Sequence, residues 1–238
     1  MAAPAASGAF EGIDAEREVF WGFTRPQLLA FGLMLAFIVV SPFFLYPVFL
    51  MKVLCFALFA CAFNLLIGYV GLLSFGHAAY FGMGGYLAGY SAKVWGFTPE
   101  VSIVIGGLVG MLLGWLIGML AIRRQGIYFA MITLAMAQMV YFFCVQAPFT
   151  NGEDGIQAIP RGAFAGQFSL ARDFNLYWLV AGIFIISFLF IHRVIHSPFG
   201  QVMKAIRENE PRAVSLGYRV DDYKLIAFVI SAGLSGVA

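Results

Sequence analysis

Residues 53–92 read "VLCFALFACAFNLLIGYVGLLSFGHAAYFGMGGYLAGYSA", with no Asp, Glu, Lys or Arg anywhere in the run. A helix crosses the hydrocarbon of a bilayer with about 20 apolar residues. The run is therefore long enough for two crossings, or for one crossing and a broken pair. Its second half, Gly68–Tyr90, holds seven glycines and His77, the only histidine in the first 190 residues. Each glycine weakens a helix by about 1 kcal/mol relative to alanine. This concentration predicts a broken or re-entrant helix near 68–90, with the break in "GLLSFGH" between Tyr69 and Ala78. Backbone freed at membrane depth is tolerated only where protein or water covers it.

The rest of the composition agrees with that reading. The chain has 238 residues, 62% hydrophobic and 11% charged, and its mean hydropathy is +0.90. A soluble domain carries about 25% charged residues, so this chain cannot build a water-facing surface over its whole length and must sit in lipid. A net charge of +2 says little about partners, and no basic patch interleaved with aromatics points to nucleic acid. Cys55, Cys61 and Cys144 lie in apolar runs without a CxxC or a Cys/His cluster, which suits small buried residues. No metal or other cofactor is expected.

Charge-free runs set out the spans: 26–51, closing at "SPFFLYP"; 53–92; 101–122, led by Thr98 and Pro99; 125–152; 174–191; and a last run from Leu225 to Ala238. Thr24 and Pro26 suit the N-cap and first turn of the first helix. The last run is short for a crossing, and the chain is expected to be C-terminally incomplete. The N-terminal tail, residues 1–25, carries acids ahead of any apolar run, the wrong order for a cleavable signal. With the N-terminus inside and two spans in 53–92, ten Lys and Arg fall inside and four, Lys52, Lys93, Arg161 and Arg172, fall outside. The excess of inside cations predicts a cytoplasmic N-terminus. In the run from Val101, Gly106, Gly110, Gly114 and Gly118 are spaced by four and form a stripe on which another helix can pack closely in lipid.

None of these spans holds an Asp, Glu, Lys or Arg. Transporters driven by protons or sodium use carboxylates at membrane depth, so uphill movement here needs another source of energy. The lysines stand in "MKV", "AKV", "MKA" and "YKL", and none follows a glycine as a nucleotide-binding P-loop requires. Any nucleotide hydrolysis therefore belongs to another polypeptide. The loop 192–224, "HRVIHSPFGQVMKAIRENEPRAVSLGYRVDDYK", offers that polypeptide a grip. Ser197 and Pro198 suit an N-cap and first helical position. A short helix is expected over 199–209, with Val202, Met203 and Ile206 on its apolar side and Lys204, Arg207 and Glu208 on its polar side. Pro211 restarts a second helix, which Gly217 stops. An ordinary positive inside loop is the plain alternative.

At this loop the chain comes to resemble a known family. "AIRENEPRAVSLGY", 205–218, is similar to the Glu-Ala-Ala type cytoplasmic element of bacterial importer permeases. "GYVGLLSFGHAAYFGMGGY", "RQGIYFAMITLAMAQMVY", "TNGEDGI" and the stretch 197–238 resemble one branch, the branched-chain amino acid permeases of the LivM type. The resemblance covers roughly residues 60–238. It implies an all-α, polytopic transmembrane bundle over 26–238, the permease of an ATP-binding cassette importer in the bacterial inner membrane. It also implies partners: a second permease subunit, two ATP-binding cassette ATPase subunits and a periplasmic solute-binding protein. The family's usual solutes are Leu, Ile and Val; some relatives carry urea, short amides or other small amino or organic acids. By the resemblance, Lys204, Ala205, Arg207, Glu208, Glu210, Ala213 and Gly217 belong to the ATPase-coupling loop.

In such a machine the glycine-rich stretch becomes a candidate translocation path. Half-helix ends and exposed amides at a break suit a zwitterion, which singles out Asn64, Gly71, Ser74, Gly76 and His77. Thr133 and Gln138 in the fourth run are further candidates. Structural roles stay open for each: an interhelical hydrogen bond for Asn64, Thr133 or Gln138, a helix cap for Ser74, a packing role for His77. In the turn-rich segment 150–162, Asn151, Glu153 and Asp154 are candidates for docking the binding protein, with a solvated loop as the alternative. Its acids are too few for a calcium loop. A structural, non-transporting membrane subunit and a passive channel are the competing classes.

Overall fold

The computed structural model of the chain describes residues 25–124, 126–159, 162–164, 168–170 and 172–238. Thr24 with the rest of the tail before Arg25, Gln125 and Arg161 lie outside them.

The chain divides into two units, 1–44 and 45–238. In the first, helix α1 (Arg25–Val40) leads into a 3-10 turn at Ser41–Phe43. Ser41 donates its hydroxyl to the Ile38 carbonyl, which covers a polar group inside an apolar segment.

The second unit is a helical bundle. Helix α2 (Pro47–Asn64) starts at a proline and runs without interruption into a π-helical turn, Leu65–Val70. Gly71 then takes φ +79 and ends the helix, a conformation that costs a glycine little and another residue more. Residues 71–76 are non-helical, and α3 (His77–Lys93) follows. The break expected in "GLLSFGH" therefore sits between two helices. Helices α4 (Pro99–Ala121), α5 (Ile127–Gln146) and α6 (Asp173–Ile195) complete the long elements. A two-residue antiparallel pairing, Ala163–Phe164 with Phe168–Ser169, lies between α5 and α6. Two short helices, α7 (Pro198–Glu208) and α8 (Glu210–Ser215), precede α9 (Val220–Val237).

Five stretches among the described residues are long and apolar enough to cross a membrane: Pro26–Phe43, Pro47–Val70, Pro99–Ala121, Ile127–Gln146 and Asp173–Ile195. They turn large apolar side chains outward, such as Leu33, Phe56, Leu120 and Ile186, as a lipid-facing surface requires. The fold is an all-α polytopic bundle.

Helix α9 is its core. Ala227, Phe228, Ser231, Ala232 and Ser235 are all fully buried. α9 packs mainly on α4, and also on α3 and α2. It begins five residues before the charge-free run from Leu225, so it takes Asp221, Asp222 and Lys224 into its first turns. The charge boundary misplaced this start because Lys224 is neutralised inside the fold: its Nζ lies 2.7 Å from Glu210 Oε1.

The α4–α9 contact is as close as backbones allow. A Cβ on Gly110 would lie 2.6 Å from the Ala232 carbonyl oxygen, and one on Gly106 would lie 2.9 Å from the Gly236 carbonyl oxygen. On Gly118 it would meet Leu225 and Phe228, and on Gly114 the Ala232 methyl. A third helix joins at one point, where a Cβ on Gly84 of α3 would lie 2.8 Å from the Gly236 Cα. In lipid, where burial of apolar surface does not drive helices together, this proximity supplies the packing.

Candidate translocation and coupling site

Two regions carry the polar chemistry of the bundle. One is the break between α2 and α3; the other is the α7–α8 projection. The chain brings them to the same end of the bundle.

At the break, the backbone freed by Gly71–Gly76 is covered from α5. Thr133 is fully buried and its Oγ1 accepts from Phe75 N at 3.2 Å. The same hydroxyl donates to the Ala130 carbonyl at 2.9 Å, so it turns one α5 turn into an anchor for the unwound segment. Ser74 is 1% exposed, and its Oγ accepts from Gly76 N at 3.2 Å. It stabilises the turn before α3 without bonding to an amide inside that helix. His77 opens α3 and is 2% exposed. Its Nε2 lies 2.8 Å from Ser231 Oγ on α9, and that hydroxyl donates to the Ala62 carbonyl of α2 at 2.5 Å. One serine therefore ties three helices. Phe63, Tyr80 and Phe228 surround the imidazole edge-on, at 5.1, 5.5 and 5.9 Å between ring centres. His77 Nδ1 and the Tyr80 hydroxyl are buried and find no partner among the described residues.

The structure thus brings Ser74, Gly76, His77 and Thr133 together. Gln138 lies farther along α5, in the wall of a cavity between α3 and α5 of about 310 Å³. Asn64 is set apart on the exposed side of α2, where its Oδ1 crowds Gly68. Gly71 lies at the far end of the break, where a Cβ would lie 3.2 Å from Arg207 Cγ.

The α7–α8 projection is built by two side-chain caps. Ser197 Oγ accepts from Gly200 N at 3.3 Å, and Asn209 Oδ1 accepts from Arg212 N at 3.1 Å. Each cap satisfies an amide that its helix leaves without an acceptor. Asn209 is the link between the two helices, a role its local sequence does not single out. Met203, Ile206, Ala213 and Val220 are buried beneath the projection. Gly217, at φ +89, reverses the chain into α9.

The seven coupling candidates divide by what they touch. Lys204 Nζ sits 5.7 Å from the centre of the Tyr69 ring. Arg207 donates to the Gly68 carbonyl, a group that the π-helical turn leaves available next to the break. Glu210 pairs with Lys224, and Ala213 packs inward. Ala205, Glu208 and Gly217 are exposed. Val214 and Leu216 are exposed beside them, at 57% and 68%. Neither is among the seven coupling candidates; large apolar residues at the polar end of a membrane segment are the signal that finds them.

At the opposite end, Asn151 takes φ +60 and Asp154 is exposed. Glu153 belongs to the 3-10 turn Gly152–Asp154; its side chain is outside the described set. Lys93 Nζ donates to the Gln157 carbonyl at 2.9 Å and holds this segment against the end of α3.

Comparison with known proteins gives this geometry its context. A family model described as "Branched-chain amino acid transport system / permease component" matches residues 47–238. The high-affinity branched-chain amino acid transport system permease protein LivM of Salmonella typhimurium is 28% identical over 198 residues, covering 74% of this chain and 47% of its own length. LivM of Escherichia coli matches with the same identity and coverage. A probable LivM of Methanocaldococcus jannaschii is 24% identical over 210 residues, covering 74% of this chain and 60% of its own length. The chain spans about half the length of the curated relatives it matches. No solved structure gives a significant match. With a matched segment that takes in every helix from α2 to α9, the chain belongs to the family of branched-chain amino acid transport permease components.

Proposed function

We propose that the chain is a permease subunit of an ATP-binding cassette importer that moves branched-chain amino acids across the bacterial inner membrane. The α7–α8 projection lies on the cytoplasmic side, together with the N-terminus and the α2–α3 break. ATPase subunits grip its exposed rim, Ala205, Glu208, Val214, Leu216 and Gly217, and their movement reaches the bundle through the contacts beneath. A second permease subunit completes the membrane pore. A periplasmic binding protein delivers the amino acid at the opposite end, near Asn151, Glu153 and Asp154.

The observation that carries this reading is the coupling of the projection to the break. Arg207 of α7 bonds to the Gly68 carbonyl in the π-helical turn after α2, and Lys224 at the start of α9 bonds to Glu210 of α8. A push on α7–α8 therefore acts at once on the π-helical turn that leads into the break and on the core helix. The absence of Asp, Glu, Lys and Arg from residues 53–92 supports an external energy source. The test is reconstitution of the full-length permease with its partner subunits in proteoliposomes. ATP-dependent leucine uptake and co-purification of an ATPase subunit are expected. Assembly with neither, or flux independent of ATP, would overturn the reading.

A further inference from the structure

The glycines of α3 differ in what stands beside them, and a Cβ on Gly89 would lie 2.9 Å from the Ile159 Cδ1. Gly84 is packed against Gly236 and Gly106. Gly82 and Gly85 have nothing within 4 Å of where a Cβ would stand. A glycine that no neighbour crowds leaves empty space beside the helix. That space is a pair of cavities. One, of about 310 Å³, lies between α3 and α5; Phe75, Ala79, Gln138 and Cys144 are in its wall. The other, of about 430 Å³, lies toward the opposite end of α3, against Ile103, Ile159 and the Gly236–Ala238 end of α9. Gly82 and Tyr86 belong to both walls. They are one helical turn apart and so share a face. This glycine and this tyrosine therefore stand between the two spaces.

The lining has a definite chemistry. Neither wall contains Asp, Glu, Lys or Arg. Most of it is apolar, and the polar side chains are few, the Gln138 amide and the Tyr86 hydroxyl chief among them. Ala78 and Ala79, in the first turn of α3, also line the cavity between α3 and α5, at the helix end whose dipole favours a carboxylate. A volume of this size accepts a small solute.

On these observations we infer that the Gly82–Gly85 face of α3 is the solute passage, with Gly82 and Tyr86 at its waist. The solute it takes is a small zwitterion with an apolar side chain. This inference rests on the importer reading above and adds the route and its selecting residues. Gly82 is glycine because a side chain there would stand in the passage.

The test uses the full-length permease assembled with its partner subunits. A Cβ at Gly82 meets nothing within 4 Å, so Gly82→Leu should keep wild-type yield and thermal unfolding while leucine uptake falls at least tenfold. Gly182→Leu is the matched control, since α6 Gly182 also has nothing within 4 Å; it should transport normally. A second measurement needs no ATP. In a Cys55→Ser, Cys61→Ser background, leucine should slow methanethiosulfonate labelling of Cys144 at least threefold. Wild-type uptake with unimpaired Gly82→Leu uptake overturns the passage and leaves the importer reading standing. Absence of ATP-dependent uptake in wild type overturns the importer reading. Labelling then decides the passage: protection of Cys144 supports it, and no protection overturns it.

Discussion

Lys224 Nζ lies 2.7 Å from Glu210 Oε1, and the lysine side chain is 4% exposed. The pair clamps α8 to the first turns of α9. A buried charge without a partner is costly, and removing one member of a buried pair typically costs about 3–5 kcal/mol. Glu210 is 28% exposed, so the loss here falls below that range. We predict that Lys224→Met and Glu210→Met each lower the unfolding temperature in detergent. The double variant Lys224→Met, Glu210→Met should recover most of the loss, because neither charge is left alone. Additive losses in the double variant would contradict a paired role.

Gly110 meets the Ala232 carbonyl at a separation that leaves no room for a side chain. Gly110→Leu should prevent α4 and α9 from seating. Overpacking costs about 1–3 kcal/mol and occasionally more, and here it acts on the central helix. The expected result is a clear fall in folded yield by size-exclusion chromatography. Gly85→Ala, at an uncrowded position of α3, should elute as wild type.

At the break, Thr133 supplies the acceptor for Phe75 N. Thr133→Val keeps the shape and removes the hydroxyl, leaving the amide unpaired; Thr133→Ser keeps the hydroxyl. Thermal unfolding should separate the two, with valine lower by about 1–3 kcal/mol of stability and serine near wild type. Ser231→Ala removes the ties to His77 and Ala62. Interhelical bonds in membranes average about 0.6 kcal/mol, so its effect on unfolding should be small, and its larger effect should be on uptake.

The exposed rim of the projection gives a separate expectation. Val214 and Leu216 face outward at 57% and 68%. Leu216→Asp should abolish co-purification of an ATPase subunit while membrane insertion stays unchanged. Glu208→Lys should weaken it in the same assay. Undiminished co-purification in both variants would move the docking surface elsewhere.

Much of this architecture could be read from charge and glycine alone. Runs without ionisable residues marked the long helices because a bilayer charges heavily for each one it admits. The break at "GLLSFGH" was visible as a cluster of weak helix formers. What stayed hidden depends on contacts distant in the chain. His77 and Ser231 are 154 positions apart, and no local pattern joins them. Lys224 looked like a loop residue because its partner, Glu210, lies in another helix. Gly82 and Gly84 are indistinguishable as letters; only the packing of α9 and α4 shows which one is crowded. The coupling candidates form one block in the sequence, and the fold divides them into residues that hold the projection and residues that present it.

The central claim is that the α7–α8 projection stands in the cytoplasm, where ATPase subunits can reach it. Side-specific labelling of single cysteines in the full-length permease, on a background without Cys55, Cys61 and Cys144, tests it directly. Glu208→Cys should react with a membrane-impermeant maleimide in inside-out vesicles and stay unmodified in right-side-out ones, with Asp154→Cys showing the reverse. Labelling of Glu208→Cys from the periplasmic face would contradict the account.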